Sequence, residues 1–562
     1  MRWTINSNFS EESVAELTQH LSIDRVLARV LVQRGIDSYE KARLFFRPSL
    51  LDLHDPYLMK DMDKAIARIE KAIDNNENIL IYGDYDVDGT TAVSLVYSFL
   101  NSFYPNVATY IPDRYDEGYG ISFKGIDFAH DNDFSLIIAL DCGIKANDKI
   151  SYAQSKDIDF IIADHHLPGD EIPNAVAVLD PKRKDCEYPF KELCGCGIGF
   201  KIIQALADKR GESVEDLVPY LDLVATAIGA DIVPIIGENR ILASFGLEVI
   251  NANPRNGIKA LIENTKKKDF TITDVVFMIA PRINAAGRIH HGNYAVKLLT
   301  EFNWEEAQKF ALEIESFNSE RKELDEQITK QALEQIAKLG SENRFTTVVF
   351  SENWHKGVIG IVASRLIETH YKPTVVFTES QGKMTASARS VSGFDIHQAL
   401  EQCSEFIEQF GGHKYAAGLT VAKENFESFR QKFEKVVKES ITEKSLSPEI
   451  SIDSEIDFSD INPKFVRILK QFEPFGPGNM TPVFISKGVT DTGYAKPIGK
   501  SDEHLKMFAK QKGSPPINIV GFGLGNKIDL VKNRQPFDLV YSIEENQWNG
   551  SVSLQLKARD IR

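Results

Sequence analysis

Four stretches of the chain place acids or imidazoles directly after short apolar runs. ENILIYG (77–83) leads into Asp84-Tyr85-Asp86-Val87-Asp88-Gly89, and FSLIIAL (134–140) ends at Asp141. IDFIIA (158–163) ends at Asp164-His165-His166, and LDLVATAIGA (221–230) delivers Asp231. Carboxylates brought together repel one another, and their pKa values rise until some take up protons. A divalent cation removes the conflict. Hard oxygens with one or two imidazoles suit Mn²⁺ or Mg²⁺ better than a thiolate-seeking zinc. With so many ligands on offer two ions are expected, the usual device for in-line attack on a phosphodiester.

Blander readings compete with each element. Asp-x-Asp-x-Asp-Gly resembles the start of a calcium loop, but Leu95 holds the twelfth position, where such a loop needs a glutamate. A His-His pair is weak by itself; a second one, His290-His291, reads as a surface loop. What distinguishes His165-His166 is its place after an apolar run and an aspartate. Cys194 and Cys196 lack the second pair that structural zinc requires. Five cysteines without a framework spacing fit a reducing cytoplasm.

Apolar runs alternating with helical segments predict an α/β fold, a parallel sheet with helices on both faces. Ligands in such sheets sit at the carboxyl ends of the strands, where these loops converge. At 562 residues the chain needs several domains. No apolar run is long enough for a membrane span, and Met1-Arg2-Trp3-Thr4 does not open a secretory signal. The net charge of −16 is uneven. Ser451–Arg562 carries 15 Lys and Arg against 13 Asp and Glu, so the acidic excess lies in the rest.

These residues resemble the DHH phosphoesterase superfamily, named for the Asp164-His165-His166 tripeptide. The likeness extends to the RecJ family of 5′→3′ single-strand-specific DNA exonucleases. It is carried by Ile111-Pro112-Asp113-Arg114, Glu117-Gly118-Tyr119-Gly120, the stretch Pro281 to Arg288, and Asn318-Ser319-Glu320-Arg321-Lys322. Gly411-Gly412-His413 to Gly418 is similar to a DHHA1 domain, and Glu473 to Asn479 with the closing SLQLKARDI to an oligonucleotide-binding (OB) domain. The resemblance implies that Asp141 bridges two metals. Asp88, His165 and Asp231 would complete the tighter site, and Asp84 and Asp86 the weaker one. His166 would lie beside the scissile phosphate, with Asp164 orienting behind it. Ser387 and Arg389 match the motif for a 5′-terminal phosphate, with Arg114 as a helper. Arg282, Asn318 and Arg321 are further substrate-binding candidates. Cys194-Gly195-Cys196 carries a cysteine where the family usually has an aliphatic residue.

Phe302 to Leu339 lacks Pro and Gly and repeats apolar residues at helical steps, which predicts a long helix joining two domains. Asn318 and Arg321 share one face of it. Strands are expected at 346–350, 373–378 and 384–390, with Ser387 and Arg389 on one face. Gly411 and Gly412 permit close backbone approach to a phosphate, with a helix start beyond them favouring the anion; His413 belongs near that phosphate. The C-terminal part reads as a β-barrel OB domain, with Tyr494, Phe508 and Trp548 as stacking candidates. The first 55 residues look helical, with Leu27, Val30, Leu31 and Val32 on an apolar face covering the first domain or the DNA path.

The expected domains are an N-terminal helical segment (1–55), a DHH domain (56–300), connecting helices (301–340), a smaller α/β DHHA1 domain (341–443) and an OB domain (449–562). The expected function is a single-stranded-DNA-specific 5′→3′ exonuclease of recombination and repair that releases 5′-mononucleotides, using two Mn²⁺ or Mg²⁺ ions. The alternative is a DHH phosphodiesterase for short oligonucleotides or cyclic dinucleotides. A cytoplasmic monomer is expected, meeting single-stranded DNA, a single-strand-binding protein and a helicase, and no membrane.

Overall fold

Three of the four acid-ended runs are strands of one sheet. The computed structural model describes the chain except Lys266, Ser341, Glu342, Asn343, Gln381, Asn533, Arg534, Asn549 and Gly550. Five parallel strands run in the order Val107–Tyr110, Asn78–Gly83, Phe134–Leu140, Asp159–Ala163 and Ala177–Leu179. Gly83 lies opposite Leu140, Leu140 opposite Ala163, and Ala163 opposite Leu179. The next residues, Asp84, Asp141, Asp164 and Asp180, therefore leave the sheet side by side at its carboxyl edge.

The fourth run is not a strand. Leu221–Ala230 is a helix, buried on every side up to Gly229, and Asp231 is its C-cap. Alanine and leucine are strong helix formers. A short apolar run without alternation carries no period that separates a strand from a buried helix.

The chain divides into two compact units. One holds Met1–Arg2, Asp113–Gly118 and Pro281–Glu449; the other holds Trp3–Pro112, Tyr119–Ala280 and Ile450–Arg562. In the first, the expected long helix runs from Trp304 to Lys338, and the Asn303 side chain caps it by accepting from the Glu306 amide. Ile328, Ala332 and Ile336 pack with Val349, Val362 and Leu366 of the adjoining α/β sheet. Asn318, Arg321 and Asp325 lie on its buried side. The sheet runs in the order Gln409–His413, Ala416–Val421, Lys383–Arg389, Thr374–Ser380 and Thr347–Phe350. Gly411-Gly412-His413 thus ends the first strand of a hairpin rather than leading into a helix. Gly412 has φ +143°, and a Cβ there would stand 2.3 Å from the Ala416 carbonyl. Glycine serves hairpin geometry at this position.

In the second unit the C-terminal sheet runs Ser454–Glu455, Phe484–Asp491, Phe537–Trp548, Ser551–Ile561, Ile517–Gly521, His504–Lys510 and Lys496–Ile498. Phe484–Asp491 also pairs with His504–Lys510, which closes a ring of five strands, as an OB barrel requires. The N-terminal segment is a strand, Arg2–Ile5, and helices Glu11–Leu21, Arg25–Gln33 and Tyr39–Phe46. Its apolar residues Leu27, Val30, Leu31 and Val32 join Phe465, Phe484 and Leu539 in one core. These helices therefore complete the barrel's core, and Phe45 at their end also meets Arg240 of the first domain. The buried Arg240 guanidinium donates to the carbonyls of Phe45, Gln471, Phe472, Glu473 and Pro474, tying these chain segments together. Tyr494 and Phe508 are exposed, and the Trp548 side chain lies outside the described residues.

Candidate metal centre and substrate groups

The sheet edge gathers the acids around His165. Its Nε2 lies 3.2 Å from Asp141 Oδ1, 3.6 Å from Asp231 Oδ2 and 3.7 Å from Asp88 Oδ2. Asp88, His165 and Asp231 offer atoms within 4.8 Å of one another, as do Asp141, His165 and His166. Burial, then the charge of Asp86, pushes Asp88 up to about 6. Burial, then Asp88 and Asp86, pushes Asp231 up to about 8. Asp141 is raised well above the carboxylate range by burial and by Asp88, and burial drops His165 to about 3. The imidazole is thus kept neutral, the form that ligates.

Backbone geometry adds strain at the same place. Asp141 has φ +60° and so does Ile232, directly after Asp231. A β-branched residue in that region is a true outlier, held there by its surroundings.

The remaining predicted groups fall around this cluster. Asp84 is buried and accepts from the Gly120 amide, and Asp86 caps helix Val87–Asn101. Neither joins the two closest ligand groups. Asp164 is buried and accepts from the amides of Ile144, His165 and His166 and from His166 Nδ1 at 2.7 Å. Burial, the largest influence, would raise Asp164, but the His166 hydrogen bond, the His166 charge and the Ile144 and His166 amides together outweigh it and its pKa falls. His166 rises to about 9: burial, the largest influence, opposes the charge, and the Asp164 hydrogen bond with the charges of Asp164, Asp231 and Asp88 together override it. Three partners have no signal in residue type or spacing. The Tyr119 hydroxyl lies 3.2 Å from His166 Nε2, and the amides of Gly195 and Cys196 donate to Asp88 at 2.6 and 2.8 Å. Asp180, raised to about 7 by burial, was legible only through strand register.

A divalent cation fits this set. Asp141 Oδ1 is buried and receives no hydrogen bond among the described residues. An oxygen-rich cage with one neutral imidazole is the donor set Mn²⁺ and Mg²⁺ take.

The predicted substrate groups of the other unit are built differently. Arg389 Nη1 donates to Ser387 Oγ at 3.0 Å and to the Ala388 carbonyl at 2.9 Å. Burial lowers its pKa, and among the described residues no carboxylate pairs with it. Gly360, in the first turn of helix Ile359–His370, leaves room for the pair: a Cβ there would lie 3.0 Å from Ser387 Oγ and 3.1 Å from Arg389 Nη2. Arg114 acts on the half-buried His355 and Lys356, lowering both after burial has done so. Arg321 donates to Asn318 at 3.0 Å, and Arg282 pairs with Glu315 at 2.5 Å. His413 is exposed at the hairpin end.

A parallel sheet with a carboxylate–imidazole centre at its edge, an attached α/β domain and a closed five-strand barrel define a DHH-type phosphoesterase. Family models match the DHH family N-terminal domain over residues 78–228, the DHHA1 domain over 342–439 and the RecJ OB domain over 452–560. The single-stranded-DNA-specific exonuclease RecJ of Bacillus subtilis strain 168 is 36% identical, over 100% of this chain and 70% of its own. The crystal structure of Thermus thermophilus RecJ with Mn²⁺ superposes with a TM-score of 0.86 at 26% identity, covering 100% of this chain and 79% of that one. The Mg²⁺ complex gives 0.80 at 26% identity over 100% and 78%. The chain belongs to the RecJ family of single-stranded-DNA-specific exonucleases. Among the described residues no helix is long and apolar enough to cross a membrane.

Proposed function

We propose that this chain hydrolyses single-stranded DNA from its 5′ end and releases 5′-mononucleotides, in recombination and repair. The observation that carries the reading is the convergence of Asp88, Asp141 and Asp231 on His165 at the edge of the parallel sheet. Asp141 is assigned to two Mn²⁺ or Mg²⁺ ions, with Asp88, His165 and Asp231 on the tighter and Asp84 and Asp86 on the other. Bound there, the ions supply an activated water and offset charge on the attacking and leaving oxygens. The chain's own residues orient the substrate. Asp164 fixes the His166 ring through Nδ1, which leaves Nε2 and its neighbour Tyr119 toward the scissile phosphate. Ser387 and Arg389 are assigned the terminal phosphate, because guanidinium and hydroxyl donors match its oxygens and, among the described residues, no carboxylate pairs with Arg389. Arg114, Arg282, Asn318 and Arg321 are assigned to the strand that follows. Gly411, Gly412 and His413 offer a side-chain-poor hairpin end to a neighbouring phosphate.

The exposed Tyr494 and Phe508 on the barrel suit stacking along a longer strand. They weigh against the second reading, a phosphodiesterase for short oligonucleotides or cyclic dinucleotides. The working domain limits are 56–300, 341–443 and 449–562, and the working setting is a cytoplasmic monomer with a single-strand-binding protein and a helicase as partners. Digestion of 5′- and 3′-labelled single strands with Mn²⁺, Mg²⁺ or EDTA tests the reading. Early release of the 5′ label with either metal is expected; early release of the 3′ label, or activity in EDTA, overturns it. A dinucleotide cleaved as well as a strand of roughly 30 nucleotides would favour the second reading.

A further inference from the structure

The helix Gly195–Arg210 begins against the acidic cluster, and its first turn touches two of the acids at once. The Gly195 amide donates to Asp88 Oδ2 at 2.6 Å, and the Cys196 amide donates to Asp88 Oδ1 at 2.8 Å. Amides in the first turn of a helix have no partner within it, and the helix dipole adds partial positive charge there. Asp88 is held at both oxygens by groups that cannot rotate away. The same turn lies on Asp141. A Cβ at Gly195 would stand 2.5 Å from Asp141 Cβ, 2.7 Å from Oδ1 and 2.8 Å from Cα, and the Asp141 backbone, at φ +60°, has little freedom to retreat. Gly195 is an ordinary helical residue, so its glycine answers to close approach and not to conformation. Cys194 caps the helix by accepting from the Gly197 amide, which fixes the turn.

We propose that the first turn of this helix positions the metal centre: the Gly195 and Cys196 amides set the Asp88 carboxylate, and the bare Cα of Gly195 lets the turn seat against Asp141, so that the two carboxylates face His165 before an ion arrives. Gly195 and Cys196 are positioning residues; neither touches substrate. The inference rests on the proposed role of Asp88 and Asp141 as ligands. Without the clamp Asp88 must be ordered by the incoming ion, and affinity falls. Partners that orient a ligand from behind are worth about 10–100-fold in metal affinity.

Direct Mn²⁺ titration, by the paramagnetic resonance signal of the free ion, tests this without reference to turnover. Cys196→Pro removes one amide in the first helical turn, where that N–H has no partner within the helix. Its reference is Cys196→Ala, which loses the same thiol and keeps the amide. The expected result is Mn²⁺ binding weaker by about 10-fold or more in Cys196→Pro than in Cys196→Ala. Circular dichroism in EDTA reports whether each variant is folded. If Cys196→Pro does not fold, Gly195→Ala is read in its place, with weaker Mn²⁺ binding through a displaced Asp141. Unchanged Mn²⁺ affinity in the folded variant overturns the proposal. Asp88→Ala separates the two levels: if it binds Mn²⁺ as the wild type does, the ligand assignment itself fails. If it loses Mn²⁺ while Cys196→Pro keeps it, only the positioning role fails.

Discussion

The carboxylate cluster and the Ser387–Arg389 pair are the same problem with opposite signs. At the parallel sheet's edge, burial raises Asp88, Asp141 and Asp231, because like charges are crowded where water is scarce. On strand Lys383–Arg389, burial lowers the guanidinium of Arg389, and among the described residues no carboxylate offsets it. A group whose charged form is disfavoured by its surroundings is suited to a ligand of the other sign that restores the charge, a cation in the first case and a phosphate in the second. The constructions differ. The acids arrive from separate chain segments and meet only through sheet register, whereas Ser387 and Arg389 are two residues apart on one strand. The first site fails with any one of several segments. The second depends on local geometry and on the space that Gly360 leaves.

Breaking the shared ligand should have the largest effect. Asp141→Ala is expected to lower kcat/KM by about 10³-fold or more, beyond the worth of a single preorganised donor, measured on a 5′-labelled single strand. Activity within tenfold of wild type would remove Asp141 from the centre. Next comes the metal itself. An ion that binds only the folded chain adds about 2.7 kcal/mol at 100 times its Kd, so Mn²⁺ should raise the Tm of the wild type and of Arg389→Ala but not of Asp141→Ala. A Tm shift lost in Arg389→Ala would mean that the two sites are not independent. Arg389→Ala should raise KM about 10–100-fold for a 5′-phosphorylated strand and much less for a 5′-hydroxyl strand, the range expected for a charged hydrogen bond. Equal loss on both ends would deny it the terminal phosphate. The smallest effect is expected of Tyr119→Phe, which removes the hydroxyl beside His166. About a fivefold loss in kcat is predicted, the worth of one ordinary hydrogen bond, and no change would make Tyr119 a bystander.

Local pattern carried a good part of the molecule. Apolar runs of strand length placed Asp84, Asp141 and Asp164 at one sheet edge, and an uninterrupted helical period placed Trp304–Lys338. Where pattern was ambiguous it left the form open or misled. LDLVATAIGA has no alternation, and only the fold made it a buried helix; Gly411-Gly412-His413 entered a hairpin instead of leading to a helix. The N-terminal apolar face was legible; its partner, the barrel core, was not, since amphipathicity says that a face is covered and never by what.

By itself the sequence determined the ligand types, the strand ends that carry the acids, and so the class of chemistry, because residue type and period are local properties. Tertiary structure decided the rest. Which acids meet His165, how strongly burial perturbs them, and that Tyr119 and the Gly195 and Cys196 amides stand behind them all depend on segments distant along the chain. Backbone amides in particular are present in every residue but proline. Only the placement of the helix Gly195–Arg210 against Asp88 turns two of them into part of the site.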